Sequence, residues 1–412
     1  MTLLSRLTPL VVLGLASAPL ISLPAIAEDT IVFGAAISIT GKTAKEGEYT
    51  RDGYQFAIDT INQLGGIKVG NKSYKVALKY YDDESKSERT AQLFEKLVNA
   101  DKVNFLLGPY ASAPTATAAP IAEKYRIPMV EANGSAESIF NKGYRYSFMV
   151  LSPAKLYLRG VLDLVKSLDP SVKTVAILGE NEPFSKEVAQ GAAEYAKQIG
   201  LDVVYHELYP SNTQDVSSLL TNVKAKSPHI LLGAGHLQDS LLVVKQSKDL
   251  GVSARAMGFS VGPSSPEFRA NLKSDGDYIF GATQWTSALK YTGTDPWKTP
   301  QAYAQAFKAK YPAYSVIPYQ TAESSAAVAV YQRAIENAGT LDPLKVRDAI
   351  AALDMMTFYG HIKFDNRNVN IYKPMAVEQL QPDGNKYTVF PVEVAEKKAL
   401  YPMPPWDMRA KR

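Results

Sequence analysis

Residues 31–37 read Ile-Val-Phe-Gly-Ala-Ala-Ile. A short run without polar alternation marks a strand buried on both faces, the situation inside a parallel sheet rather than at the surface of an antiparallel one. Comparable runs return at Tyr74 to Tyr81, Val103 to Leu107, Val175 to Leu178, Val203 to Tyr205 and His229 to Leu232. Stretches with helical spacing separate them: Phe94, Leu97 and Val98; Val188, Ala192, Tyr195 and Ile199; Val216, Leu219, Leu220 and Val223. Strand alternating with helix from Thr30 to Ser260 predicts α/β architecture with helices on both faces of parallel sheets. The strands form two series, Ile31 to Val130 and Val175 to Gly258, linked by the extended segment Tyr144 to Pro153, and each has the size of one doubly wound domain.

The last third breaks this rhythm. Helices are expected at Pro300 to Tyr311, Ala322 to Gly339 and Pro343 to Leu353, followed by hairpin-like strands from Gly360 onward. Such a tail can return to complete both domains. Residues 396–412, rich in proline and charge, read as a surface strap.

The N-terminus points to export. Arg6 precedes an apolar run from Leu7 to Leu23, and Ala25-Ile26-Ala27 supplies a small-x-small cleavage site, so residues 1–27 are expected to be a signal peptide. Pro9, Pro19 and Pro24 interrupt the run, which falls short of the roughly 20 residues that span a bilayer. The chain contains no cysteine, which excludes disulfides and a lipid-modified cysteine anchor. An exported chain with no membrane anchor is expected in a Gram-negative periplasm. Its 45 basic and 41 acidic residues are interspersed rather than blocked, so no nucleic-acid partner is expected.

Several patterns imitate catalytic motifs. Ala36 to Thr43 approaches a P-loop but has alanine in place of the first glycine and stiff Ile37 and Ile39 where the loop must fold back. Gly233-Ala234-Gly235-His236-Leu237-Gln238 lacks the third glycine of a dinucleotide fingerprint. Gly258-Phe259-Ser260-Val261-Gly262 matches a nucleophile elbow, with His361 downstream. A prolyl loop follows it, however, and its strand is expected to be the last of its series rather than a central one. The four histidines lack metal-ligand spacing, so no metal and no cofactor is expected.

Thr40-Gly41, Glu46-Gly47, Gly65-Gly66-Ile67, Tyr81-Asp82-Asp83, Leu107 to Ser112, Ile127-Pro128, Leu178-Gly179 and Phe184-Ser185 follow one another in a fixed order. That series, together with Pro402 to Trp406, closely resembles the leucine/isoleucine/valine-binding protein family, the type I periplasmic binding proteins of branched-chain amino acid importers. The resemblance implies two Rossmann-like lobes joined by three crossovers, near Met149 to Pro153, Thr283 to Thr286 and Asn368 to Tyr372. The lobes are then 28–149 with 284–369, and 150–283 with 370–395. It also implies a non-enzyme that closes on a small-molecule ligand and docks on an inner-membrane ABC permease with its ATPase subunits.

By the same resemblance, a ligand carboxylate would sit on Ser112 and on the loop Asn133, Gly134 and Ser135, where free amides and a helix N-terminus suit an anion. Serine before a helix is otherwise most often a cap. Phe184 and His236 occupy positions of family tyrosines, and Tyr110 and Trp285 are further aromatic candidates. The family's ammonium-binding glutamate falls at Ser260, and its cleft tryptophan at Glu46. A hydroxyl cannot neutralise an ammonium, so either Glu46 replaces that partner or the ligand is an acid without one, such as an aromatic acid. The alternatives are a periplasmic serine hydrolase using Ser260, or an amide-responsive sensor of the same fold.

Overall fold

The computed structural model describes residues 30–409; the expected signal peptide lies outside them. One sheet has six strands in the order Ile67–Val69, Lys72–Asp82, Thr30–Ile37, Phe105–Leu107, Met129–Glu131, Ser147–Met149. All pair in parallel except Ile67–Val69, which forms a hairpin with Lys72–Asp82. Thr30–Ile37 is central and its apolar run is buried on both faces. Ile31, Phe33, Ala35 and Ile37 join the core that includes Tyr54 and Tyr331, and Ala36 joins Phe94 and Leu97 in the core on the other side.

The second sheet has seven strands in the order Lys386–Phe390, Ala376–Leu380, Phe280–Thr283, Ala256–Phe259, Ile230–Ala234, Thr174–Glu180, Asp202–Tyr209. The two C-terminal strands are antiparallel additions to a parallel set. They correct one expectation: Ala256–Phe259, read as the end of its series, is interior, because Phe280–Thr283 pairs with its free edge and the tail extends the sheet further. The C-terminal hairpin also begins earlier than expected, with Asp354–Thr357 pairing with Gly360–Lys363.

The chain passes between sheets three times: after Met149, after Thr283, and after Val369, which bridges to Met149. The crossing segments are tied together. The Ser152 amide donates to Gln284 Oε1 at 3.1 Å, Gln284 Nε2 donates to the Ser152 carbonyl at 3.0 Å, and the Ser152 hydroxyl donates to the Lys373 carbonyl at 2.8 Å. Between the second and third passages, helices Pro300–Lys310 and Tyr319–Ala338 return to the first lobe, where Phe56 of helix Ala44–Gln63 packs against Trp297, Tyr303 and Phe307. The strap lies on the second lobe: the Met403 amide donates to the Arg255 carbonyl at 2.8 Å and Trp406 Nε1 to the Val252 carbonyl at 2.7 Å.

This topology places the site. In each sheet the second strand in sequence beside the first lies on one side and the next on the other: Thr30–Ile37 stands between Lys72–Asp82 and Phe105–Leu107, and Thr174–Glu180 between Asp202–Tyr209 and Ile230–Ala234. Loops leaving the carboxyl ends on either side of such a reversal diverge and open a crevice.

Candidate functional site

On the first lobe, strand Phe105–Leu107 leads through Gly108 to Ala111 into helix Ser112–Tyr125. A Cβ at Gly108 would lie 2.1 Å from Glu131 Oε2, so no side chain fits there. Ala111 has φ +76°, a costly conformation for alanine of the kind that clusters at binding sites. It turns the chain so that the Ser112 hydroxyl accepts the Ala136 amide at 3.0 Å.

Glu131, at the end of strand Met129–Glu131, alters the expected anion site. Its buried carboxylate accepts from the Asn133 amide at 2.6 Å, the Gly134 amide at 2.8 Å and the Thr115 hydroxyl at 2.8 Å. The two amides expected to be free for a ligand are therefore taken by the protein itself. Burial pushes the Glu131 carboxyl up to about 7 even against these hydrogen bonds. Two groups on the loop stay available: Asn133 Oδ1 and the Ser135 hydroxyl are buried without a partner, while Asn133 Nδ2 donates to Ser324 Oγ at 3.1 Å.

On the second lobe, Glu182 caps helix Pro183–Gln198 by accepting the Phe184 and Ser185 amides. This holds the Phe184 ring against Tyr157, edge-on at 5.0 Å, and His236 at 5.2 Å. His236 precedes helix Leu237–Asp249, its amide donating to Asp239 Oδ2 at 3.0 Å. The lobes touch across the crevice. Tyr110 Oη and His236 Nδ1 share a hydrogen bond of 3.0 Å, Lys42 Nζ lies 2.7 Å from Glu180 and 3.2 Å from Asp239, and Tyr49 bonds to Glu267. Glu187 accepts the Glu137 and Ser138 amides at 2.7 and 2.9 Å.

Between the lobes Tyr110, Asn133, Tyr157, Phe184, His236, Val261, Tyr319 and Glu323 enclose a void of about 10 Å³. That is room for roughly one water molecule, so a solute enters only if the lobes part. Of the expected residues, Tyr110, Asn133, Phe184 and His236 line this void, while Ser112, at a helix start, and Gly134 and Ser135, on a loop, adjoin it.

Three others lie away from both the void and those adjoining segments. Trp285 is a core residue, its Nε1 donating to the Phe358 carbonyl at 3.1 Å and its ring edge-on to Tyr303. Glu46 accepts the Leu237 amide. The Ser260 hydroxyl accepts the Gly235 amide at 2.9 Å and donates to its carbonyl at 2.8 Å, while His361 pairs with Asp354 at 2.6 Å. Ser260 thus gives its proton to a carbonyl rather than to a base, and the hydrolase arrangement is not assembled.

Sequence reasoning missed Tyr157, Val261, Tyr319 and Glu323, which come from a crossing segment, the loop after Ser260 and a C-terminal helix. Their spacing reads only as core. Glu323 accepts from Tyr359 Oη at 3.1 Å, and burial pushes its carboxyl well above the usual range, opposed by the neighbouring Lys373 ammonium.

Residues 30–385 match the periplasmic binding protein family over nearly the whole described chain. The chain belongs to that family. This periplasmic binding protein is 29% identical over 415 residues to Leu/Ile/Val-binding protein homolog 8 of Brucella abortus, covering 97% of the chain and 99% of the relative. Its fold matches the branched-chain amino acid transporter substrate-binding protein LivJ of Streptococcus pneumoniae in complex with isoleucine, with TM-score 0.74, 20% identity, and 90% and 100% of the two chains covered. It also matches an ABC transporter solute-binding protein of R. palustris in complex with benzoate, with TM-score 0.75, 17% identity, and 90% and 97% covered. The fold is therefore the type I one, two α/β lobes with three crossovers. No helix among the described residues is long and apolar enough to cross a membrane.

Proposed function

We propose that this periplasmic binding protein is exported to the periplasm, captures a small carboxylate-bearing solute by closure of its lobes, and delivers it to an inner-membrane ABC permease driven by ATPase subunits. The reading is carried by the unpartnered, buried Ser135 hydroxyl beside a crevice whose other walls are mostly aromatic. An unpaired buried donor is costly unless a ligand satisfies it. The Ser112 hydroxyl accepts from Ala136 and keeps its own proton to donate, so two hydroxyls converge on one anion.

The body of the ligand lies among Tyr110, Tyr157, Phe184 and Tyr319. The one carboxyl lining the void, Glu323, is held toward its neutral form by burial and is engaged by Tyr359, so it is a poor partner for an ammonium. This favours an acid without an ammonium, such as an aromatic acid, over an amino acid. Neighbours of this fold bind either class: isoleucine in one case, benzoate in the other. Calorimetry decides between them. Benzoate-type acids are expected to bind at micromolar strength and leucine to give no heat; leucine binding that is lost in Glu323→Gln overturns the choice of ligand.

A further inference from the structure

The doubly wound topology of the second lobe brings His236 to Glu180 and Glu182, two neighbours in sequence that lie far from it along the chain. Glu180 ends the first strand of that sheet, Glu182 precedes one helix and His236 precedes another, across the same strand-order reversal. Their ligand-capable atoms all lie within 4.8 Å of one another, the one such group found among the described residues. His236 Nε2 is 3.8 Å from Glu182 Oε1, and Nδ1 is engaged by Tyr110 Oη. Because Tyr110 belongs to the opposite lobe, that bond turns Nε2 toward the carboxylates in the closed form and is released when the lobes part. Glu180 Oε1 is bound by Lys42, but its Oε2 is buried with no partner at all. Donors at roughly 2.0 to 2.1 Å from a tetrahedral ion stand roughly 3.4 Å apart, so a contraction of about an ångström completes the set.

In the closed form the cation at this cluster is Lys42, which belongs to the opposite lobe and also contacts Asp239. Parting the lobes withdraws it and leaves Glu180 and Asp239 without that charge. We infer that Glu180, Glu182 and His236 form a site for a divalent transition metal of the zinc class, filled when the lobes are open and vacated when Lys42 docks. One imidazole and two carboxylates suit zinc; calcium needs six to eight oxygens, which this cluster does not offer. The competition with Lys42 rests on the hinged reading of the protein, whereas the metal site does not.

The test is calorimetry of zinc chloride into untagged, chelator-stripped protein at neutral pH. One ion per chain is expected to bind at micromolar strength, at least tenfold weaker in His236→Ala and in Glu180→Gln, and several-fold tighter in Lys42→Met. Absence of zinc binding in both the unaltered protein and Lys42→Met overturns the site, as does binding unchanged by His236→Ala, or calcium bound as tightly as zinc. Zinc binding that is normal but indifferent to Lys42→Met overturns the competition alone. Unfolding curves of each variant separate loss of ligands from loss of fold.

Discussion

The carboxylate of Glu46, on the first lobe, accepts a hydrogen bond of 3.2 Å from the amide of Leu237, the first residue of a helix on the second lobe. The sequence offered Glu46 as a partner for a ligand ammonium; instead it satisfies one of the orphan amides at a helix start in the other lobe. Burial pushes its carboxyl up.

Glu46→Ala leaves the Leu237 amide unpaired only when the lobes are closed, so it shifts the balance toward the open form. Hydrogen bonds to charged groups contribute about 1.5 to 3 kcal/mol. The expected result in X-ray scattering is a larger radius of gyration without ligand, with affinity lowered roughly tenfold or more. The unaltered protein should contract on saturation with ligand, and an unchanged profile there contradicts a hinged crevice.

Ser112 and Ser135 separate binding from stability. Ser135→Ala removes a hydroxyl without a protein partner, so thermal stability is expected to hold while ligand affinity falls about tenfold. Ser112→Ala strands the Ala136 amide and is expected to cost about 1 to 3 kcal/mol of stability as well as affinity. Affinity unchanged from the unaltered protein in both variants would show that neither serine binds the ligand.

Glu131 makes stability depend on pH. Its folded value, about 7, lies above the ordinary 4.5, so between those values the folded chain holds a proton that the unfolded chain releases. Its contribution is complete below pH 4.5 and is lost as pH rises through 7, up to roughly 3 kcal/mol. Urea midpoints at pH 5 and pH 8 should differ less in Glu131→Gln than in the unaltered protein; an equal difference contradicts the shifted titration.

Ser260 is expected to stay unmodified by serine-directed covalent probes, since its proton is committed to the Gly235 carbonyl. Labelling detected at Ser260 by mass spectrometry refutes this. Ser260→Ala leaves the Gly235 amide and carbonyl without their shared partner, and is expected to destabilise by about 1 to 3 kcal/mol.

Apolar runs such as residues 31–37 made the parallel strands legible, because burial on both faces leaves a mark in composition alone. The crevice was legible where it lies beside strand ends, as with Tyr110, Asn133, Phe184 and His236. It was illegible where long-range packing decides. Nothing local marks Glu131 as the acceptor of the Asn133 and Gly134 amides, since the glutamate reads as one more strand residue. Trp285 carries the same aromatic signal as Phe184, and only the position of Phe358 turns it into the core. Tyr319 and Glu323 sit on a helix whose inward face meets the first lobe from far along the chain.

The ring of Trp297, Tyr303 and Phe307 around Phe56 bears on how the protein is made. A nascent chain that has just emitted its first two hundred residues holds all the parallel strands of the first lobe but none of the aromatic side chains that cover Phe56. Domains fold as units once their residues are out of the ribosome, at roughly 5 to 20 residues per second. This lobe therefore stays uncovered until about three quarters of the chain has been made, and its early strands must wait for a late segment before they can pack.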